Sequence, residues 1–182
     1  EYLATLYLQD LSDFIRATVC PEFEIVKYAE SLSLAIGEFS AIEQELAKPR
    51  NFVENTMCEL LHAHIERTAP RRVGISVPFP GNLLGALRIG QYIKSNPPAI
   101  EVIIGGGYPT TELRAMTDKE IFRYVDYVVL DDGELALERI LSGGELLHTY
   151  TAEGYTEGSG HISHRERGCP DFDGLPHSLY FS

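Results

Sequence analysis

Cysteine pairs, excess positive charge and long apolar runs are all missing from this sequence. Its three cysteines, Cys20, Cys58 and Cys169, form no CxxC or CxxxC pair, which argues against a zinc site, an iron–sulfur cluster or a disulfide framework. The formal net charge of −12 argues against nucleic-acid binding, which needs a basic face. No apolar run approaches membrane-spanning length and no signal peptide is visible, so a reduced, cytoplasmic setting is expected.

The composition is that of an ordinary globular chain. Hydrophobic residues make up 44% and charged residues 23% of the 182 residues, which allows a core of normal size in one domain with appendages. Glu1 begins directly within an apolar helical pattern, and Ser182 follows directly on an apolar stretch. We therefore expect a domain that is part of a longer polypeptide.

Helical periodicity dominates the first third of the chain. Apolar residues recur on one helix face over residues 1–19, a second helical pattern covers 31–47, and a third runs from Phe52 to Arg67. Asn51 precedes the third pattern and is the type of residue that caps a helix. We interpret residues 1–68 as a helical N-terminal segment of the domain.

The third helical pattern carries no recognisable ligand set. We expect five apolar side chains to face inward from it: Val53, Met57, Leu60, Leu61 and Ile65. His62 and His64 are two positions apart and therefore lie on different helix faces, so they do not form a metal pair. A histidine without a partner cluster is usually solvated or partly buried, and we expect no cofactor contact from this segment.

From Arg72 onward, short apolar strands alternate with helices. Strands are predicted at Val73–Val77, Glu101–Ile104 and Asp126–Leu130, and helices at Leu83–Lys94 after the cap Asn82, near Glu112–Met116, from Thr117 or Asp118 to about Arg123, and at Glu134–Leu141. This alternation predicts right-handed crossovers, and thus an α/β fold with a mainly parallel sheet. Leu146–Thr151 and the glycines after it predict a hairpin at the sheet edge.

Three of the connecting loops are unlike ordinary connectors. They are Ser76–Asn82, Gly105–Tyr108 and Asp131–Gly133, and each follows a predicted strand. In a parallel sheet all three lie at the carboxyl edge, where open α/β folds bind ligands. This edge offers the Ser76 hydroxyl, the backbone amides of three glycines, and acidic side chains. We expect no Lys or Arg there to hold a phosphate.

Nucleotide binding is disfavoured by two further absences. No lysine follows the glycines as it does in a phosphate-binding P-loop, and the G-x-G-x-x-G spacing fails because position 110 is Thr. The glycines can equally be a tight strand-to-helix turn. The acidic residues can equally be a helix start whose dipole they complement.

Four segments taken together resemble the cobalamin-binding domain that precedes the catalytic domain of many radical SAM enzymes. They are Val73–Phe79, Ala86–Lys94, Val102–Thr110 and Tyr124–Glu134, and the resemblance covers about residues 72–142 in order and spacing. The group includes methyltransferases and enzymes of the Mg-protoporphyrin IX monomethyl ester oxidative cyclase type. Residues 169–182 resemble the linker that leads into the radical SAM domain.

The resemblance implies a Rossmann-like, flavodoxin-like core over residues 69–168. It implies that cobalamin lies along the carboxyl edge, with its nucleotide tail past the first two loops and its corrin near the third. The implied binding residues are Ser76, Val77, Pro78, Gly105, Gly106, Gly107, Tyr108, Asp132, Gly133 and Glu134. A radical SAM domain of the same polypeptide would be the partner.

This sequence departs from the resembled pattern at several points. The Asp131–Asp132 pair stands where relatives usually carry Gly, or Arg and Gly, and it adds negative charge beside a corrinoid. No DxHxxG motif supplies a cobalt ligand, and no CxxxCxxC motif is present to hold an iron–sulfur cluster for S-adenosylmethionine cleavage. The cluster and S-adenosylmethionine are therefore expected only in the partner domain.

Two other functions fit the same sequence. A degenerate Rossmann-like domain that binds no cofactor would serve as a scaffold or docking surface. A third possibility, an α/β domain for a small anion or sugar, is disfavoured for anions by the acidic loop. Visible absorption of a bound corrinoid would distinguish a cobalamin-binding domain from a scaffold that binds no cofactor.

Overall fold

A computed structural model describes residues 2–21, 39–96, 99–116, 118–160, 162, 168–169 and 172–175. Its elements, in chain order, are α1 (Tyr2–Thr18), α2 (Phe39–Ala47), α3 (Phe52–Thr68), β1 (Arg72–Ser76), α4 (Gly81–Lys94), β2 (Glu101–Gly105), α5 (Gly107–Glu112), a 3₁₀ helix (Glu120–Arg123), β3 (Tyr127–Val129), α6 (Gly133–Ser142), β4 (Thr149–Thr151) and β5 (Gly154–Thr156).

The strands form one five-stranded sheet in the order β1-β2-β3-β4-β5. β1 pairs parallel with β2, and β2 pairs parallel with β3, which confirms the predicted parallel arrangement of these three strands. β4 and β5 form the predicted edge hairpin, and β4 pairs antiparallel with β3. The sheet is therefore mixed rather than mainly parallel, because the hairpin returns the chain against β3 without a crossover.

One face of the sheet is covered by α4, and α2, α3 and the 3₁₀ helix pack against α4. Val102, Ile104 and Val128 point into this face and are fully buried there. They pack with Leu83 and Leu87 of α4 in the larger hydrophobic core. Alternate strand residues face opposite sides, which is why Ile103 and Val129 instead join Ala136 and Ile140 of α6 in a smaller core.

A buried arginine joins the helices on the covered face. Arg88 of α4 is 3% exposed, and its Nε donates to Glu54 Oε1 of α3 at 2.8 Å. Its two terminal nitrogens donate to the carbonyl oxygens of Leu46, at 2.7 Å, and Glu45, at 3.0 Å. These carbonyls belong to the last turn of α2, where the helix itself supplies no donors, so Arg88 satisfies them and ties three helices together.

The predicted cap of α3 is confirmed. The Asn51 side chain accepts from the Glu54 N–H at 2.9 Å, and the Glu54 carboxylate accepts from the Asn51 N–H at 2.9 Å. This reciprocal arrangement is a capping box. Only part of the predicted inward set is buried, however: Leu61 and Ile65 pack against the core, whereas Val53 is 40% and Leu60 69% exposed.

Two helix starts were predicted wrongly. α4 begins at Gly81 with Pro80 at the cap position, so Asn82 lies inside the helix and does not cap it. α5 spans Gly107–Glu112 rather than 112–116, because Pro109, with its fixed φ, occupies the first turn and starts the helix early. The Asp118 carboxylate accepts from the Glu120 N–H at 2.9 Å and begins the 3₁₀ helix. Thr117, 22–38 and most of 169–182 lie outside the described residues.

α1 is an amphipathic helix whose apolar side chains stay exposed. Leu3 is 79%, Tyr7 69% and Phe14 64% exposed. The predicted helix is thus confirmed over Tyr2–Thr18, but its apolar stripe packs on little of the described structure. No helix in the described ranges combines the length and apolar character needed to cross a membrane.

Candidate functional site

The loops after β1 and β2 meet at the carboxyl edge of the sheet, as predicted. Ser76 is the register partner of Gly105. The Val77 N–H donates to the Gly105 carbonyl at 2.7 Å, and the Tyr108 N–H donates to the Val77 carbonyl at 3.1 Å. These bonds extend the β1–β2 pairing past the strand ends and hold the two loops directly against each other.

Gly106 is required by this contact between the loops. Its φ is +113°, a conformation that side-chain-bearing residues rarely adopt. A Cβ at this position would also lie 3.0 Å from the Val77 carbonyl oxygen, and one at Gly107 would lie 3.0 Å from the Pro78 carbonyl oxygen. The glycine turn is therefore explained by packing of the loops, and the space beside Gly106 is already filled by backbone.

Two of the predicted binding residues are core residues. The Val77 side chain is fully buried and Tyr108 is 5% exposed, and both pack in the larger core. The Val77 N–H and carbonyl are both engaged in the loop contact, as is the Tyr108 N–H. These residues can position a site but offer it little surface.

An uncovered strip of the sheet face runs up to the same edge. Gly74 and Ser76 of β1 are exposed and Gly105 is half-buried. They share a face with Ile103, because in-register residues of a parallel pair point the same way. α6 covers Ile103 and Val129 and reaches only Arg72 of β1, and a Cβ at Gly74 would meet nothing within 4 Å. The strip is thus a flat surface of small residues ending at Ser76.

Asp131, in the loop after β3, is bonded to a basic residue that sequence reasoning missed. Its carboxylate forms a short ion pair with Arg114, and its N–H donates to Thr110 Oγ1 at 3.0 Å. The expectation of no Lys or Arg at this edge is wrong. Arg114 follows α5 by two residues, and the early start of α5 at Gly107 brings that segment beside the third loop.

The edge hairpin adds three aromatic groups to the same cluster. His148 Nδ1 lies 3.7 Å from Asp131 Oδ2 and 3.2 Å from the Tyr155 hydroxyl. The Tyr150 hydroxyl donates to the Arg114 carbonyl at 2.7 Å, and the Tyr150 and Tyr155 rings lie 4.6 Å apart. Burial, followed by the nearby Asp131 charge, raises the pKa of Tyr155. The hydrogen bond that Arg114 donates to the Asp131 carboxylate is the largest reason why the pKa of Arg114 is raised.

Two residues of the cluster have left-handed backbone. Asp131 has φ +58° and His148 has φ +45°, and the Leu130 N–H donates to the His148 carbonyl at 2.9 Å between them. Non-glycine residues in this region cost on the order of 1 kcal/mol each, and such strain concentrates at functional sites. Here it turns both side chains toward one another at the end of β3.

The remaining predicted residues begin α6. Asp132 occupies the cap position without a side-chain capping bond, and Gly133 and Glu134 form the first turn. A Cβ at Gly133 would meet only the Val129 side chain, at 3.6 Å. Glu134 lies where an acidic side chain complements the helix dipole. Stabilisation of the start of α6 therefore explains these acids as well as ligand binding does.

Arg114, His148 and Tyr155 carried no sequence signal that could have revealed them. Arg114 lies 17 positions before Asp131 and Tyr155 lies 7 positions after His148, and none of the three belongs to a motif. Only the pairing of β4 with β3 and the return of the chain after α5 bring them together. His62 and His64 remain on α3, where His62 Nε2 lies 3.3 Å from Glu66.

Comparison with known proteins yields no match: no family model, no curated protein and no solved structure is similar to this chain. In the part of the chain that the structure describes, no group of three or more His, Cys, Asp and Glu side chains converges as a metal site.

Proposed function

We propose that this chain is a cobalamin-binding-type domain of a radical SAM enzyme, a methyltransferase or a cyclase of the Mg-protoporphyrin monomethyl ester type. Its Rossmann-like core would hold the corrinoid beside a radical SAM domain of the same polypeptide, in the cytoplasm. That partner domain would bind the iron–sulfur cluster and S-adenosylmethionine.

The open strip of the sheet is the observation that carries the proposal. Gly74, Ser76 and Gly105 carry no bulky side chain, so the carboxyl end of the β1–β2 face is open beyond Ile103. A flat group can approach the backbone there, as it can in other α/β folds that bind ligands at this edge. Ser76 and Gly105 would contact the nucleotide tail.

The charge of the third loop fits a corrinoid better than the sequence indicated. Asp131 forms an ion pair with Arg114 and is approached by His148, so its negative charge is balanced by a neighbouring cation. When bound, the cobalt of the cofactor would supply methyl-group or electron-transfer chemistry. The residues of this chain would bind and orient it.

The test uses hydroxocobalamin and the 182-residue chain. The protein is mixed with excess cofactor and passed through a gel-filtration column, and retained corrinoid is read from visible absorption. Ser76→Phe fills the open strip at an exposed position, whereas Ala63→Phe adds the same side chain on the exposed face of α3. We expect retention by the unmodified chain and by Ala63→Phe, and loss in Ser76→Phe with an unchanged thermal melt.

One observation favours the second candidate, a scaffold without a cofactor. The conformation of Gly106 and the bonds of Val77 and Tyr108 are fully explained by packing between the loops. If the unmodified chain leaves the column colourless despite excess cobalamin, the scaffold function replaces the cofactor proposal.

A further inference from the structure

A cavity of about 440 Å³ lies far from the carboxyl edge, between the α2–α3 loop and the second half of α4. Lys48, Arg50 and Arg88 are the charged side chains in its lining. In the whole chain, acidic residues outnumber Lys and Arg by 27 to 15, so an all-basic lining runs against the composition. A volume of this size is in the usual range for small-molecule sites.

The floor of the cavity is fixed by part-buried hydrogen bonds. Arg88 Nη1 donates to Gln91 Oε1 at 2.9 Å, and Gln91 Nε2 donates to the Leu46 carbonyl at 3.0 Å. Arg88 is also paired with Glu54 and with the last turn of α2. Its positive charge is therefore already paired within the protein, and Arg88 shapes the cavity rather than contacting a ligand.

Arg50 is the basic side chain that is available at the rim. It takes part in no ion pair with the described residues, and its guanidinium lies 5.6 Å above the Tyr92 ring. The loop that carries it is anchored, because the Arg50 carbonyl accepts from Asn55 Nδ2 at 3.2 Å and Asn51 is held in its capping box. This cation–π contact keeps the guanidinium at the rim of the cavity, and its planar donors suit an oxyanion.

Lys48 supplies a second cation at the same rim. Its ammonium lies 2.6 Å from Glu45, but both side chains are exposed, at 61% and 37%. Exposed pairs of this kind contribute little, so a ligand phosphate can replace the Glu45 carboxylate. A smaller adjoining cavity of about 200 Å³ shares Arg50 and Tyr92 but includes Glu59, which makes the larger cavity the better place for an anion.

We propose that this cavity binds a phosphate-bearing small molecule, with the phosphate on Arg50 and Lys48 and the organic part against Tyr92. Arginine and lysine donate charge-assisted hydrogen bonds to phosphate oxygens, and the Tyr92 ring offers an apolar surface. The proposal is independent of cobalamin binding, since the cavity and the open strip share no residue.

The test is a titration of the ¹⁵N-labelled chain with phenyl phosphate at constant ionic strength, with benzyl alcohol as the uncharged comparison. We expect saturable shifts of amides in the α2–α3 loop and late α4, with a Kd on the order of 1 mM for two charge-assisted contacts at an exposed rim. Benzyl alcohol should give no saturable shift. Linear, unsaturated shifts with phenyl phosphate overturn the proposal.

Matched variants locate the site. Arg50→Gln should weaken binding roughly tenfold, the effect of losing one charge-assisted hydrogen bond, and Lys48→Gln should weaken it less because Lys48 must first leave Glu45. Arg67→Gln removes an exposed positive charge elsewhere on α3 and should leave the affinity unchanged. Equal weakening in Arg50→Gln and Arg67→Gln would show a general charge effect and reject the site.

Discussion

The two faces of the sheet are covered to different extents. On one face, α4 and the helices packed against it bury Val102, Ile104 and Val128 in the larger core. On the other face, α6 covers Ile103 but leaves Gly74 of β1 exposed. Hydrophobic burial scales with the apolar area removed from water, so the covered face supplies most of the stability and the half-open face supplies accessible surface.

This difference in coverage assigns the side chains of the covered face to stability and leaves those of the half-open face accessible to a ligand. Side chains on the covered face have neighbours on all sides, and changes there must alter packing. The strip on the other face has room for an added group without displacement of neighbours. Substitutions matched across the two faces can test this division.

Truncation of one isoleucine on each face should have the largest effect. Ile104→Ala should lower the free energy of unfolding by about 4 kcal/mol and Ile103→Ala by about 2 kcal/mol, because the cost of a large-to-small change grows with the cavity it leaves. Urea denaturation measures both. Equal losses would contradict the inference that the α6 face contributes less.

Replacing one glycine on each face of the sheet with valine should give the second-largest difference in the free energy of unfolding. A Cβ at Gly90 of α4 would lie 2.3 Å from the Tyr124 carbonyl oxygen, so Gly90→Val should cost about 3 kcal/mol by overpacking. Gly74→Val enters open space on a strand, where a β-branched residue is favoured, and should stay within about 1 kcal/mol of the parent chain. The midpoints and slopes of urea denaturation curves measure both changes in stability. A large loss at Gly74 would mean that the strip is packed.

The glycine turn at the end of the strip should be less sensitive than the core. Gly106→Ala should cost about 2 kcal/mol, because φ is +113° and the new Cβ meets the Val77 backbone. Gly105→Ala is the control, since its Cβ would make only ordinary contacts, at 3.5 Å from the Val129 carbonyl oxygen. Thermal melts of the two variants should differ. If they coincide, the conformation of Gly106 is not what constrains the loop.

The smallest effect should appear at alkaline pH. The pKa of Tyr127, on the half-open face, is raised from 10.0 by burial and then by the charge of Glu101, and the pKa of Tyr155 is raised by burial and then by Asp131. A folded pKa above the unfolded value leaves stability constant below pH 10, and stability falls as pH rises through the folded pKa. Tyr127→Phe and Tyr155→Phe should each flatten this fall.

Thermal melts between pH 8 and 11.5 measure the alkaline effect. Tyr2→Phe is the control, since its side chain is 75% exposed on α1. A parent chain whose melting temperature is the same at pH 9 and pH 11.5 would exclude the proposed contribution of both phenols.

Local sequence patterns predicted the helices and strands correctly where one residue type favours a particular bond or conformation close to it in the chain. Asn51 was identified as a cap because its side chain reaches the N–H three residues on, and that bond is present. The apolar runs at 73–77, 102–104 and 127–129 predicted parallel strands because the helices between them force crossovers. Periodicity misjudged Val53 and Leu60 of α3, which are exposed, since it shows which residues share a face but not whether another element covers that face.

The sequence by itself determined the α/β alternation, the three parallel strands, the edge hairpin and the loops at the carboxyl edge, since all of these follow from local period, turn residues and chain connectivity. Only the tertiary structure decided that Gly74 and Ser76 of β1 stay uncovered, that Gly106 packs on Val77, and that Arg114 and His148 meet Asp131. These are contacts between segments far apart in sequence, and they depend on how long each helix is and where the chain returns, which no local pattern encodes.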